Sequence, residues 1–179
     1  MIFRVLKIFF AGFALLGLSS LAHAAFVVDL PDTRIQSILQ NYFPIDEYAA
    51  FARVSMDVPQ VRLSKTNKDI VLIIPIVAKM MGEGTHKGRV TMLMGLSYKA
   101  ALGGLFLGQP RIAQFEIPGV SKKIAADLRD IVDIMGKNAL PLVRIYTVKE
   151  RDLNHSLAKS ELKSFVIENG RLHLEFGFD

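Results

Sequence analysis

From Ser121 to Val148 the apolar residues recur at helical spacing, and that run limits what the rest of the chain can become. Ile124, Leu128, Ile131, Met135, Ala139, Leu142 and Tyr146 advance by four, three, four, four, three and four. At ~100° per residue they share an arc of roughly 80°, while Lys122, Arg129, Asp130, Asp133, Lys137 and Arg144 gather opposite. Ser121 is placed to cap the first turn with its hydroxyl, and Asp133 can pair with Arg129 or Lys137 one turn away. Pro141 lacks an N–H and crowds the carbonyl four residues back, so a bend is expected there. The spacing predicts one amphipathic helix over 121–148, about 40 Å long at ~1.5 Å per residue. Its seam has to lie on something apolar.

Period two governs most of the remainder. Val54, Met56 and Val58 alternate with Arg53, Ser55 and Asp57, the pattern of a half-buried strand. Pro59 interrupts it, and Val61 and Leu63 resume on shifted parity, which points to a bulge or an edge. Ile70 to Met81 is apolar on both faces. Such a strand needs cover twice over, or one face turned to an apolar ligand or partner. After the glycines at 82, 84 and 88, the side chains of Val90, Met92, Met94, Leu96 and Tyr98 point one way. Gly103-Gly104 turns the chain into a strand over Leu105–Ile117, broken near Gly108-Gln109-Pro110.

The flanks are shorter. Phe26-Val27-Val28 is a short strand, and Asp32-Thr33 opens a helix with Ile35, Ile38, Leu39 and Tyr42 on one face. Phe43 to Phe51 is an ambiguous connection, with one helical turn around Glu47 among its options. Asp152 can cap a short helix carrying Leu153, Leu157 and Leu162. Asn169-Gly170, between Phe165-Val166-Ile167 and the alternation Leu172, Leu174, Phe176, Phe178, is a strong two-residue hairpin signal.

Consecutive strands on short turns pair antiparallel, and the long helix must lay its stripe on their apolar face. The expected class is therefore α+β, a curved antiparallel sheet wrapped around one long amphipathic helix. Residues 1–24 read as a secretory signal: Arg4 and Lys7 precede an apolar run from Ile8 to Leu18, and Ala22-His23-Ala24 is a small-x-small cleavage site. An uncleaved anchor is the other reading, although the run falls short of the ~20 residues that span a bilayer. Residues 25–179 then form one domain. Without Arg4 and Lys7 the 22 basic residues become 20 against 17 acidic ones, a net charge of +3. That permits transient contact with anionic membrane surfaces and does not suggest nucleic acid. There is no cysteine, hence no disulfide, no thiolate chemistry and no acylated anchor. The expected location is the periplasm, as a soluble protein after cleavage at Ala24.

Little in the chain carries reaction chemistry. Ser156-Leu157-Ala158-Lys159 matches the S-x-x-K nucleophile motif but lacks its companion S-D-N and K-T-G elements. Gly82, Gly84 and Gly88 precede a strand, whereas a phosphate loop precedes a helix. His86, His155 and His173 have no ligand spacing. No catalytic residue, metal or cofactor is expected, and the protein is read as a non-enzyme. The methionines stand out instead. Flexible thioethers suit an interior that adapts to variable apolar shapes, and also fill gaps in ordinary cores. An apolar groove is accordingly placed between the helix residues Ile124, Leu128, Ile131, Met135, Leu142 and Tyr146 and the sheet residues Met80, Met92, Met94 and Leu96.

Several stretches resemble the YceB-like family of bacterial envelope lipoproteins, a domain family of unknown function. They are Thr33-Arg34-Ile35-Gln36-Ser37-Ile38-Leu39, the hairpins, Leu140-Pro141-Leu142 with Ile145-Tyr146, Leu157-Ala158-Lys159, and Ile167-Glu168-Asn169-Gly170-Arg171-Leu172-His173-Leu174. That family is similar to the tubular lipid-binding (TULIP) superfamily, so the resemblance implies a TULIP-like fold and a lipid or other apolar ligand. This chain departs from it in lacking the lipoprotein cysteine, which favours a soluble carrier. The expectation is a periplasmic binding protein for a lipid or other apolar or amphipathic molecule. The alternative is an envelope interaction module that pairs with a membrane-protein partner.

Overall fold

Alternation of apolar and polar side chains makes strands of most of this chain, and the strands assemble into two antiparallel sheets. The computed structural model describes residues 26–64, 69–148 and 160–178. In chain order the elements are β1 (Phe26–Pro31), α1 (Asp32–Leu39), β2 (Ile45–Tyr48), β3 (Ala52–Met56), β4 (Gln60–Leu63), β5 (Ile70–Met80), β6 (Gly84–Lys99), β7 (Gly104–Glu116), α2 (Lys122–Ala139), β8 (Arg144–Thr147), β9 (Ser160–Glu168) and β10 (Arg171–Phe178). The larger sheet runs β2-β3-β5-β6-β7-β8 and is curled into a half-barrel. β3 and β4 lie end to end along β5, opposite Ile76–Met80 and Ile70–Ile73 respectively. Pro59, which has no ladder donor, sits in the gap and accounts for the shifted parity. The smaller sheet runs β1-β10-β9.

The expected long helix, and with it the TULIP-like wrapping of a sheet around it, is wrong. α2 ends at Ala139, Leu140–Leu142 make one 3-10 turn, and Arg144–Thr147 form the edge strand β8 on β7. Pro141 does more than bend the helix. An α-helix through it would lose one backbone bond and clash with the carbonyl of Lys137. The β-branched Val143, Ile145 and Thr147 that follow favour extended backbone. At ~1.5 Å per residue α2 is roughly 27 Å long, a helix laid over the half-barrel's mouth rather than a rib clasped by it. Ser121 caps it as expected, its Oγ accepting from the Ile124 N–H at 3.3 Å. Lys137 donates to Asp133 at 2.5 Å along its exposed side.

The buried stripe of α2 is Leu128, Val132, Met135 and Gly136. It meets β7 on one side and β2 and β3 on the other, so the helix closes the open side of the curled sheet. Gly136 sets the distance of approach: a Cβ there would stand 3.0 Å from Met92 Cε and 3.6 Å from Pro110 Cγ. The smaller sheet closes another part of the same interior. Phe176, fully buried on β10, stacks on Phe26 of β1 at 4.9 Å and meets Tyr98 of β6 edge-on at 5.3 Å, arrangements that suit the ring quadrupoles.

Several shorter expectations change as well. The connection after Phe43 contains a strand, β2, in place of a helical turn around Glu47. β7 continues through Gly108-Gln109-Pro110 and absorbs the irregularity as shifts in register against β6. Leu162 belongs to strand β9. The hairpin turn has positive φ at both Asn169 (51°) and Gly170 (71°), as a two-residue turn of this kind requires. The expected signal segment, the S-x-x-K stretch and the start of the short helix at Asp152 lie outside the described residues.

One polar contact locks α1 to the sheet. Gln36 Nε2 donates to the Pro59 carbonyl at 2.7 Å, and its Oε1 accepts from the Val61 N–H at 2.9 Å. The side chain thus completes the backbone bonding of β4 on the side away from β5, a way of blunting an edge. Gln36→Leu leaves both backbone groups without their partner in a part-buried setting, and a loss of about 1–3 kcal/mol is expected. It should be read as a lower urea midpoint at unchanged slope. Gln36→Glu, which keeps only the acceptor, should fall between leucine and wild type.

Candidate functional site

The ten residues assigned to an apolar groove do not line one space. Met92, Met94, Leu128 and Met135 are closed into the core, none more than 3% exposed. Leu96 and Ile131 are half-buried against it. Leu142, on the 3-10 turn, is 66% exposed. Tyr146 on β8 lies near the ring of Phe176, at 6.2 Å. Only Met80 and Ile124 come together at an opening. Where the groove was expected, Gly136 lets α2 approach closely and Met92 packs against it, a Cβ on Gly136 standing 3.0 Å from Met92 Cε.

The opening lies where the β5–β6 hairpin passes the N-terminal end of α2. It is a cleft of about 290 Å³ lined by Phe51, Met80, Met81, Glu83, Lys123, Ile124 and Asp127. The turns are tied together, since the Met81 N–H donates to the Phe51 carbonyl at 3.1 Å. Positive φ at Gly82 (80°) and Gly84 (86°) lets the hairpin reverse immediately after Met81. Met80 forms part of the floor and is nearly buried, whereas Met81 is 79% exposed beside the partly exposed Phe51. Tyr48, at the end of β2, is 70% exposed. Phe51 was not legible as a site residue, because its neighbour Met81 lies thirty positions on. The usable signal was an apolar run extending to the residue before a glycine turn.

Charges of both signs surround this end. The Arg53 guanidinium lies 5.1 Å from the centroid of the Tyr48 ring and 3.2 Å from Asp46. Asp46 also accepts from the Ser55 hydroxyl. The Ser55 hydrogen bond first, and the Arg53 guanidinium next, hold the Asp46 carboxyl below its ordinary value of 3.8. The carboxylate in turn raises Arg53. Since the folded carboxyl is the stronger acid, the arrangement favours the fold above 3.8 and loses that effect as pH falls through the lower folded value.

The outer face of β5 is partly open. Val71, Ile73 and Val77 are half-buried and lie outside the core cluster, unlike Ile70, Leu72, Ile74 and Ile76 on the inner face. Among the described residues no three His, Asp or Glu side chains stand close enough to hold a metal. His173 Nδ1 is 2.6 Å from Asp29 Oδ1 across β10 and β1. His86 Nε2 is 3.2 Å from the Glu83 carbonyl. No helix among the described residues is long and apolar enough to cross a membrane. No protein-family model matches the chain, and no curated protein matches it in sequence.

Two measurements check this description. Met92→Ala should cost about 2–5 kcal/mol, as emptied core positions do, while Met81→Ala should stay within about 0.5 kcal/mol. A small loss at Met92 would mean the interior is hollow there. Ser55→Ala should raise the Asp46 pKa toward its ordinary value, followed by the carboxyl carbon shift in an NMR titration. An unmoved titration would assign the whole effect to Arg53.

Proposed function

We propose that the protein is a non-catalytic binding protein for a single-chain lipid or comparable amphiphile, taken at the mouth between the β5–β6 hairpin and α2. The supporting observation is Met81, a large apolar side chain held in water beside Phe51, above a cleft floored by Met80 and Ile124. Packing of the fold gives no reason for that exposure, and exposed apolar clusters rimmed by polar groups are a common form of binding surface. Lys123, Asp127 and Glu83 supply the polar rim. A cleft of about 290 Å³ is at the small end for ligand sites, so it suits one acyl chain or its end. The proposed compartment is the periplasm, on the strength of the signal pattern in residues 1–24 and the resemblance to YceB-like envelope proteins.

A protein partner is the second reading, favoured by the half-open outer face of β5. Crosslinking in cells should then return one dominant neighbour held through Val71, Ile73 or Val77.

Lipid extraction and native mass spectrometry of residues 25–179 should find a bound amphiphile, and a fluorescent fatty-acid probe should compete with it. Met81→Glu should weaken the probe about tenfold or more, the equivalent of losing one buried apolar side chain, with little change in melting temperature. A protein that is always empty and ignores the probe overturns the reading.

A further inference from the structure

A second cleft, sharing no residue with the mouth, lies between α1 and the edge strand β8. It has a volume of about 320 Å³ and is lined by Arg34, Ile38, Arg144, Ile145, Tyr146 and Thr147. Both charged residues are arginines, and neither forms an ion pair among the described residues. The acid nearest in sequence, Asp32 at the start of α1, lines a different cleft with Gln36 and Ser37. Its carboxylate accepts from the Thr33 N–H at 2.6 Å.

The Arg144 side chain is held in place by packing. Its guanidinium lies 5.2 Å from the centroid of the nearly buried Phe106 ring, and Lys99 Nζ approaches the same ring at 4.6 Å. Gly104 makes room for this: a Cβ there would stand 2.8 Å from Phe106 Cε2 and 3.1 Å from Arg144 Nε. A guanidinium fixed in this way keeps its donors free for a ligand and loses little entropy on binding one. Arg34 stands one helical turn before Ile38, so its charge and an apolar side chain share one flank of α1. Ile145, almost fully buried, forms part of the apolar lining.

Two cations sharing a cleft whose described lining holds no carboxylate repel each other, and an anion between them removes that cost. We propose that this cleft binds the carboxylate or phosphate head of an amphipathic anion, with Arg34 and Arg144 on the head and Ile38 and Ile145 against the first methylenes. Guanidinium donors match the planar oxygens of a carboxylate or the tetrahedral ones of a phosphate in pairs.

The test is calorimetric titration of residues 25–179 with dodecanoate and dodecyl phosphate, with inorganic phosphate as the head-only arm and dodecanol as the tail-only arm. Either dodecyl anion should bind at least tenfold more tightly than inorganic phosphate or dodecanol. Arg34→Gln and Arg144→Gln should each weaken it roughly ten- to a hundredfold, the range for a lost charge-assisted contact, with circular dichroism unchanged. In a Met81→Glu background, where the mouth is weakened, both arginine substitutions should still produce this loss. Inorganic phosphate binding as well as dodecyl phosphate would overturn the proposal in favour of a free anion. Unchanged affinity in both arginine variants would also overturn it, as would arginine substitutions that lose their effect in the Met81→Glu background, which would move the ligand to the mouth.

Discussion

The inner face of the β5–β6 pair has to be kept from water, and the remaining elements are placed to do so. Ile70, Leu72, Ile74, Ile76, Ala78 and Met80 alternate along β5 and meet Val90, Met92 and Met94 of β6, all of them buried. At about 1.5–3 kcal/mol for each large apolar side chain removed from water, no arrangement leaving that face open would compete. Curling the sheet brings its two sides toward each other, and α2 then reaches β7 on one side and β2 and β3 on the other. The three-stranded sheet covers a further part through Phe176. Its strands β1 and β10 come from opposite ends of the described chain, so the closure also ties those ends together.

How much of this was legible depended on the range of the interaction. Period-two alternation is local, and it located β3, β6 and β10, while β5 was located by an unbroken apolar run rich in β-branched residues. The Asn169-Gly170 turn is equally local, since positive φ at two adjacent residues restricts which side chains can stand there. The helix was legible only as far as Ala139. Counting apolar residues at steps of three and four carried it across Pro141, where backbone chemistry stops it, and into β-branched residues that prefer a strand. Even within α2 the buried line differs from the expected seam, with Val132 and Gly136 inside and Ile124 and Ile131 at its flank. The reason is tertiary: the helix settles where its glycine meets Met92, and a hydrophobicity pattern does not weigh an absent side chain.

Contacts between distant residues were not legible at all. Gln36 reads as an ordinary polar position on a short helix, yet it bonds to the backbone of residues 59 and 61. Phe51 and Met81 likewise belong to separate turns, and only the pairing of β3 with β5 brings them to one rim. Of the ten residues expected to line a groove, Met80 and Ile124 meet at this cleft because their own strand and helix end there.

Methionine illustrates why a filled interior shifts the functional reading outward without abolishing it. The same thioether serves two ends in this molecule. Met92 occupies the space that Gly136 leaves, the ordinary use of a flexible unbranched chain in a core. Met81 has no such partner and stands in water at a hairpin tip. Its neighbours across the turn are apolar, and those on its rim are charged. Folding explains the first methionine fully and the second not at all. The same contrast separates Arg111, which pairs with the buried Asp69 at 3.3 Å, from Arg144, stacked on a ring and without an ion pair among the described residues. On the proposed reading, a side chain held in position but unsatisfied by its own fold takes its complement from outside. Such positions lie on the surface of this protein, in open clefts separate from the packed core, so the proposed ligand contacts and core packing can change independently.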